Sequence, residues 1–126
     1  MVAGREVDGE IAIMMVEASG TERAWEFYEN VRDHVEHVHV KDAIMTAEMG
    51  EPDYVMPGQG QAYVRQVMAD LIARGYDGYI AIEPHVATVF HISDGEEPDW
   101  QQCYDSYVAY GRAMQAMIES LHPAEA

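Results

Sequence analysis

Apolar and polar positions alternate along this chain in two recurring periods. Ile11-Ala-Ile-Met-Met-Val16 is a short apolar run of the kind that forms a buried strand, and residues 1–10 before it are mixed and polar. Ser19-Gly-Thr-Glu22 has the spacing of a helix capping box, and Ala24, Phe27, Tyr28, Val31 and Val35 then recur at helical spacing. This predicts a helix near 22–34. Val35-Glu-His-Val-His-Val40 is alternating and β-branched, and reads as a strand near 36–41 ending at Lys41-Asp42. Residues 43–60 follow neither period, read as irregular, and close on Pro57-Gly-Gln-Gly60. Val64, Val67, Met68, Leu71 and Ile72 form one stripe, with Gly75 where a helix-ending glycine belongs, so a helix is expected near 61–74. Gly78-Tyr-Ile-Ala-Ile82 is a further strand, near 78–83, running into Glu83-Pro84-His85. A polar loop through Asp94-Gly95 leads to Pro98 at a helix start. From there Trp100, Cys103, Tyr104, Tyr107, Gly111, Met114, Ile118 and Leu121 make one long stripe, a helix near 98–121. Strands alternating with amphipathic helices imply parallel βα units. The two later strands should be parallel neighbours with a right-handed crossover.

Composition narrows the class. At 126 residues, without repeat or linker, the chain is read as a single domain over 1–126. Seven basic against 23 acidic residues give a net charge of −16, which repels nucleic acid and anionic membranes. No apolar run approaches the roughly 20 residues of a membrane span, and the N-terminus lacks a signal peptide's apolar centre. One cysteine, Cys103, excludes an internal disulfide framework and fits a reducing, cytoplasmic setting. Lys41 is the only lysine among the seven basic residues. An acid-rich, lysine-poor chain suits high salt, where screening removes self-repulsion; an ordinary acidic protein is the alternative.

Chemistry-bearing residues gather at the ends of two strands. His37, His39 and Lys41 share one strand face and Val38 and Val40 the other; Glu83 and His85 share a face of the later strand. In parallel α/β architectures the carboxyl ends of the strands are where ligands bind. A His and a Glu on neighbouring strand ends suit a divalent cation such as Mn²⁺, Zn²⁺, Co²⁺ or Mg²⁺. Plain structural roles compete with this: His39 as a half-buried, hydrogen-bonded histidine, and Lys41–Glu83 as an ion pair.

His37-Val-His-Val-Lys-Asp42, Pro57-Gly-Gln-Gly60, Gly75-Tyr-Asp-Gly78 and Ile82-Glu-Pro-His85, in this order and spacing, resemble the last third of sugar phosphate isomerase/epimerases. These are xylose isomerase-like TIM barrels, and the resemblance runs over residues 20–121, including Val89-Phe90-His91 and the closing helix. It implies an α/β chain forming the last part of a (β/α)8 barrel, incomplete here. The implied site is a divalent metal held by Glu, Asp, His and Glu on four successive strands. His39 matches the metal histidine. Glu83 matches the final glutamate, both metal ligand and proton carrier. Lys41 is implied as a second catalytic residue, stabilising the enediolate oxygen, and His37 and His85 as substrate contacts. The Gly58–Gly60 stretch would shape the rim or be an ordinary turn.

The sequence departs from that pattern in three places. A full barrel takes about 250 residues. The Ile11–Val16 run falls where the family has its metal aspartate but carries no carboxylate, Glu17 being the nearest, and Ala43-Ile44-Met45 stands where epimerases place an arginine. The resemblance therefore implies a metal-dependent isomerase or epimerase acting on a small sugar or sugar phosphate, with half its metal shell missing and the metal not necessarily retained. A keto-inositol dehydratase is the close variant. The other class is a non-catalytic barrel remnant that oligomerises or binds a partner, since open strand edges favour self-association into homo-oligomers. A barrel-type abasic-site endonuclease shares the architecture, and the charge of −16 argues against it.

Overall fold

The computed structural model describes residues 2–7, 10–15, 21–45, 52–86 and 97–122. β1 (Val2–Val7) and β2 (Glu10–Met15) form an antiparallel hairpin, with Val2 opposite Met15. α1 (Thr21–Val31) tightens into a 3-10 turn over Arg32–His34, and Val35 then turns extended to feed β3 (His37–Val40). After Lys41, β4 (Asp42–Met45) pairs antiparallel with β5 (Pro52–Val55). α2 (Val64–Ala73), β6 (Tyr79–Ile82) and α3 (Trp100–Leu121) complete the order.

The expected parallel pair is present: β3 and β6 run side by side, with His37 opposite Tyr79 and Val40 opposite Ile82. β2 lies next to β3 without joining its ladder. Among the described residues the fold is thus a small mixed α/β arrangement of three two-stranded sheets, one of them parallel.

Alternation along the parallel pair sorts its two faces. Val38 and Val40 are buried, and Ile80 and Ile82 pack beside them, against Val64, Val67, Met68 and Leu71 of α2 and Tyr110 and Met114 of α3. Tyr28 of α1 closes this core from the far side, fully buried. Its hydroxyl donates to Asp70 at 2.8 Å, and Asp70 also takes Arg32 and Arg74, tying α1 to α2. The opposite face carries His37, His39 and Tyr79 and is open; Tyr79 is 81% exposed. Parallel sheets in complete folds have both faces covered, and this one has helices on one.

Several expectations need correction. The order is not a plain strand–helix alternation. β1 was not foreseen, because Val-Ala-Gly-Arg-Glu-Val has no alternating period. β4 and β5 fall inside the stretch read as irregular; each is four residues long, and β5 starts at a proline, as edge strands tolerate. The β3 strand stops at Val40, short of Lys41-Asp42. α2 begins at Val64, not 61, because Tyr63 before it is left-handed (φ 55°), and no α-helix continues through that conformation. Pro98 lies outside α3: Asp99 is the cap, its carboxylate accepting from the Gln102 N–H at 3.0 Å. The long stripe on α3 divides. Met114 is buried, together with Tyr110, which the stripe left out, whereas Trp100 and Tyr104 stay about two-thirds exposed (65% and 66%) and Tyr107 is also exposed. Gly75 does end α2 with φ +78°, as its position predicts. The Ser19 cap, Glu17, the Asp94-Gly95 loop and Val89-Phe90-His91 lie outside the described residues.

Candidate active site

The parallel ladder continues one step past β6. The Glu83 N–H donates to the Val40 carbonyl at 2.9 Å, which fixes Glu83 beside the end of β3. Its carboxylate then comes to 3.9 Å from Nδ1 of His39, both side chains partly exposed to solvent. At that distance the pair is a loose approach. Two donors of different type stand on one surface with little else holding them.

Next to them, His85 folds back on its own strand. Nδ1 lies 3.0 Å from the Glu83 carbonyl, an oxygen that only accepts, so this nitrogen carries the proton. Nε2 is then left to accept from the Lys41 ammonium at 3.2 Å. Lys41 also sits 5.1 Å above the ring of Tyr54, and Tyr54 lies 4.9 Å from the His85 ring. Lys41 therefore turns toward His85 rather than forming the alternative pair with Glu83. On the other side, the rings of His37 and His39 are 4.8 Å apart, with Tyr79 6.4 Å beyond His37. Four of the five sequence-predicted residues, His39, Glu83, Lys41 and His85, gather toward the carboxyl end of the parallel pair, as His39–Glu83 and Lys41–His85; His37 starts β3 opposite Tyr79 and reaches the cluster through the His39 ring.

Asp42, which the sequence places in the same row, points elsewhere. It is 2% exposed and takes four backbone N–H donors: Gly58 (2.8 Å) and Gly60 (3.0 Å) on Oδ2, Ala43 (3.0 Å) and Ala62 (3.1 Å) on Oδ1. The glycines serve this wrap. Gly58 has φ +87°, and a Cβ on Gly60 would overlap the Asp42 carboxylate and the Ala43 backbone. The Gly58–Gly60 stretch is thus a turn built around a buried carboxylate. The buried Tyr110 hydroxyl has no partner of good hydrogen-bond geometry among the described residues; burial and then the Asp42 charge push its pKa up to about 12, against a weak opposing contact with the Asp42 backbone.

Two participants escaped the sequence reading. Tyr54 stood in the stretch read as irregular, and nothing local marks it. Asp42 was seen but not its role, for which the only signal is a Gly-x-Gly 16–18 residues downstream. Among the described residues no group of three His, Cys, Asp or Glu side chains is assembled for a metal. The donor chemistry of His39 with Glu83 does fit one divalent cation, as two ligands of a larger shell.

A mixed α/β unit with His, Glu and Lys at the carboxyl edge of a parallel pair is what the described residues define. Over 57 residues, 45% of its length, the chain is 30% identical to fructoselysine 3-epimerase of Escherichia coli O157:H7. Fructoselysine 3-epimerase of Shigella flexneri matches to the same extent. The matched stretch covers 19% of each of these relatives. No family model and no solved structure matches the chain. No helix among the described residues is long and apolar enough to cross a membrane.

Proposed function

We propose that this chain is part of a sugar or sugar-phosphate isomerase/epimerase, its 126 residues forming the last βα units of a xylose isomerase-like TIM barrel as one partial domain. The observation that carries the reading is the approach of Glu83 to His39 across the parallel pair, in a chain partly similar to an epimerase. His39 and Glu83 would hold a divalent metal, of the Mn²⁺, Mg²⁺, Co²⁺ or Zn²⁺ kind, which when bound polarises a carbonyl and its neighbouring hydroxyl. Glu83 takes and returns the proton on the carbon next to that carbonyl. Lys41, held by His85, offers its ammonium to the oxygen that gains charge as the proton leaves. His37 contacts a sugar hydroxyl, and His85, expected from the resemblance as a substrate contact, instead positions Lys41, since both its ring nitrogens are engaged. Tight sites use three or four protein ligands, so two alone bind metal weakly and give little turnover in the isolated chain.

A second reading, a barrel remnant that associates with copies of itself, draws on the uncovered face of the parallel pair and on Trp100, Tyr104 and Tyr107, exposed on α3. Hydrogen exchange separates the two. The chain is incubated with ketoses, ketose phosphates and ketosamines in D2O with Mn²⁺, and deuterium entering beside the carbonyl is followed by NMR. Slow entry that disappears in Glu83→Gln is the expected result. No entry into any of these sugars overturns the catalytic reading and leaves the associating remnant, whose sign is a dimer or larger species by light scattering.

A further inference from the structure

We propose that Tyr54 is a positioning residue: its ring holds the Lys41 ammonium away from Glu83 and so keeps the Glu83 carboxylate open. The roles at stake, Lys41 beside the reacting oxygen and Glu83 as proton carrier, rest on the epimerase reading; the placement itself does not. The strand register sets the problem. Val40 pairs with Ile82, and the Glu83 N–H donates to the Val40 carbonyl, so Lys41 and Glu83 are the next residues along the two chains. Val40 and Ile82 face the core, and alternation sends Lys41 and Glu83 to the opposite face, side by side. An ammonium and a carboxylate so placed ordinarily pair. Instead, Lys41 turns to Nε2 of His85 at 3.2 Å and lies 5.1 Å above the Tyr54 ring, while Glu83 is left with His39 at 3.9 Å. A partly exposed ion pair is worth little, because water screens it and two long side chains must be held still. The negative face of an aromatic ring, added to a neutral imidazole nitrogen, outweighs it. Tyr54 backs both members of this arrangement, since its ring also lies 4.9 Å from that of His85. It arrives from β5, where it stands opposite Ala43, and the Asp42 wrap ties Gly58 and Gly60, just beyond β5, to the start of the same hairpin. The hairpin's register thus decides where the only lysine of the chain points.

A single lysine makes the test direct, because ¹³C-lysine labelling of the full chain gives one side-chain reporter for NMR. In the wild type, the Lys41 ε-methylene protons should lie upfield of those of free lysine, from the ring current of Tyr54, and show nuclear Overhauser contacts to that ring. Tyr54→Phe keeps the ring and should keep both signals. Tyr54→Leu should lose the upfield shift and bring contacts between the Lys41 ε-methylene and the Glu83 γ-methylene, with the amide spectrum of α2 and α3 unchanged as the check on folding. Glu83→Gln, which removes the competing carboxylate, should leave the Lys41 signal where it is. An unshifted Lys41 signal without contact to Tyr54 in the unaltered protein overturns the proposal, and so does a signal that moves off the ring in Glu83→Gln. A Tyr54→Phe spectrum that matches Tyr54→Leu overturns it too, as does a Lys41 that leaves the ring in Tyr54→Leu without approaching Glu83. A wild type that exchanges no sugar proton removes the epimerase reading and leaves this placement standing.

Discussion

Two carboxylates follow the two parallel strands, and the fold treats them in opposite ways. Asp42, two residues beyond β3, is sealed from water and fully occupied by the amides of the chain around it. Glu83, directly after β6, anchors its backbone to Val40 and leaves its carboxylate exposed, with His39 near but not tightly held. A buried ion is tolerable only when donors replace its lost water, and Asp42 has four. Once so engaged it does no chemistry. Glu83 keeps an open carboxylate because the structure engages so little of it. Position at a strand end therefore does not separate an enclosed carboxylate from an open one; the supply of backbone donors does.

The contrast is most exposed to Asp42→Ala. Removing this acceptor leaves the Gly58, Gly60 and Ala62 amides unpaired in or near the core, and should cost about 3–5 kcal/mol in chemical denaturation. A cost below about 1 kcal/mol would mean that water substitutes freely and that the turn does not depend on its carboxylate. Gly60→Ala strikes the same wrap from the other side. Its new methyl group meets the Asp42 carboxylate and Ala43 backbone, so about 2–3 kcal/mol is expected, measured in the same way.

Alkaline pH sharpens the picture at Tyr110, the buried hydroxyl under the influence of Asp42. Its folded-state value, pushed up from 10 to about 12, means that the native protein holds this proton more tightly than the unfolded chain. The stabilising contribution is complete below pH 10 and is lost as pH rises toward 12. Thermal melts from pH 9 to 12 should show falling stability that is shallower in Tyr110→Phe. An equal slope in both proteins would show that Tyr110 does not carry the effect. At neutral pH, Tyr110→Phe should be nearly neutral or slightly stabilising, since it removes an unpaired polar atom. The smallest effect belongs to Glu83→Gln. Partly exposed and loosely paired, it should change stability by no more than about 0.5 kcal/mol. A loss comparable to that of Asp42→Ala would erase the distinction between the two carboxylates.

The strand-end site was legible because it depends on short-range pattern. Val38 and Val40 announce which face of β3 is buried, and that alone places His37 and His39 on the other. The parallel pairing of two apolar strands around an intervening helix then brings Glu83 to His39. The helices were legible in their bodies and less so at their ends, where Tyr63 and Asp99 act through backbone conformation and one hydrogen bond. Tyr54 and the Asp42 wrap were not legible. Each depends on contacts between distant residues and on a four-residue strand too short to carry a period. The exposed start of α3 was misread for a related reason. Trp100, Tyr104 and Tyr107 repeat the spacing of Tyr110 and Met114, but the core they would enter ends before reaching them.

The strand–helix–strand unit between His37 and His85 carries a broader consequence. Among the described residues, the side chains of this cluster, from His37, His39 and Lys41 through Tyr54 to Glu83 and His85, come from that one stretch of polypeptide. Its internal carboxylate knot travels with it. Genetic exchange that moves this stretch as a block carries the strand-end side chains together with the device that holds their loop in shape.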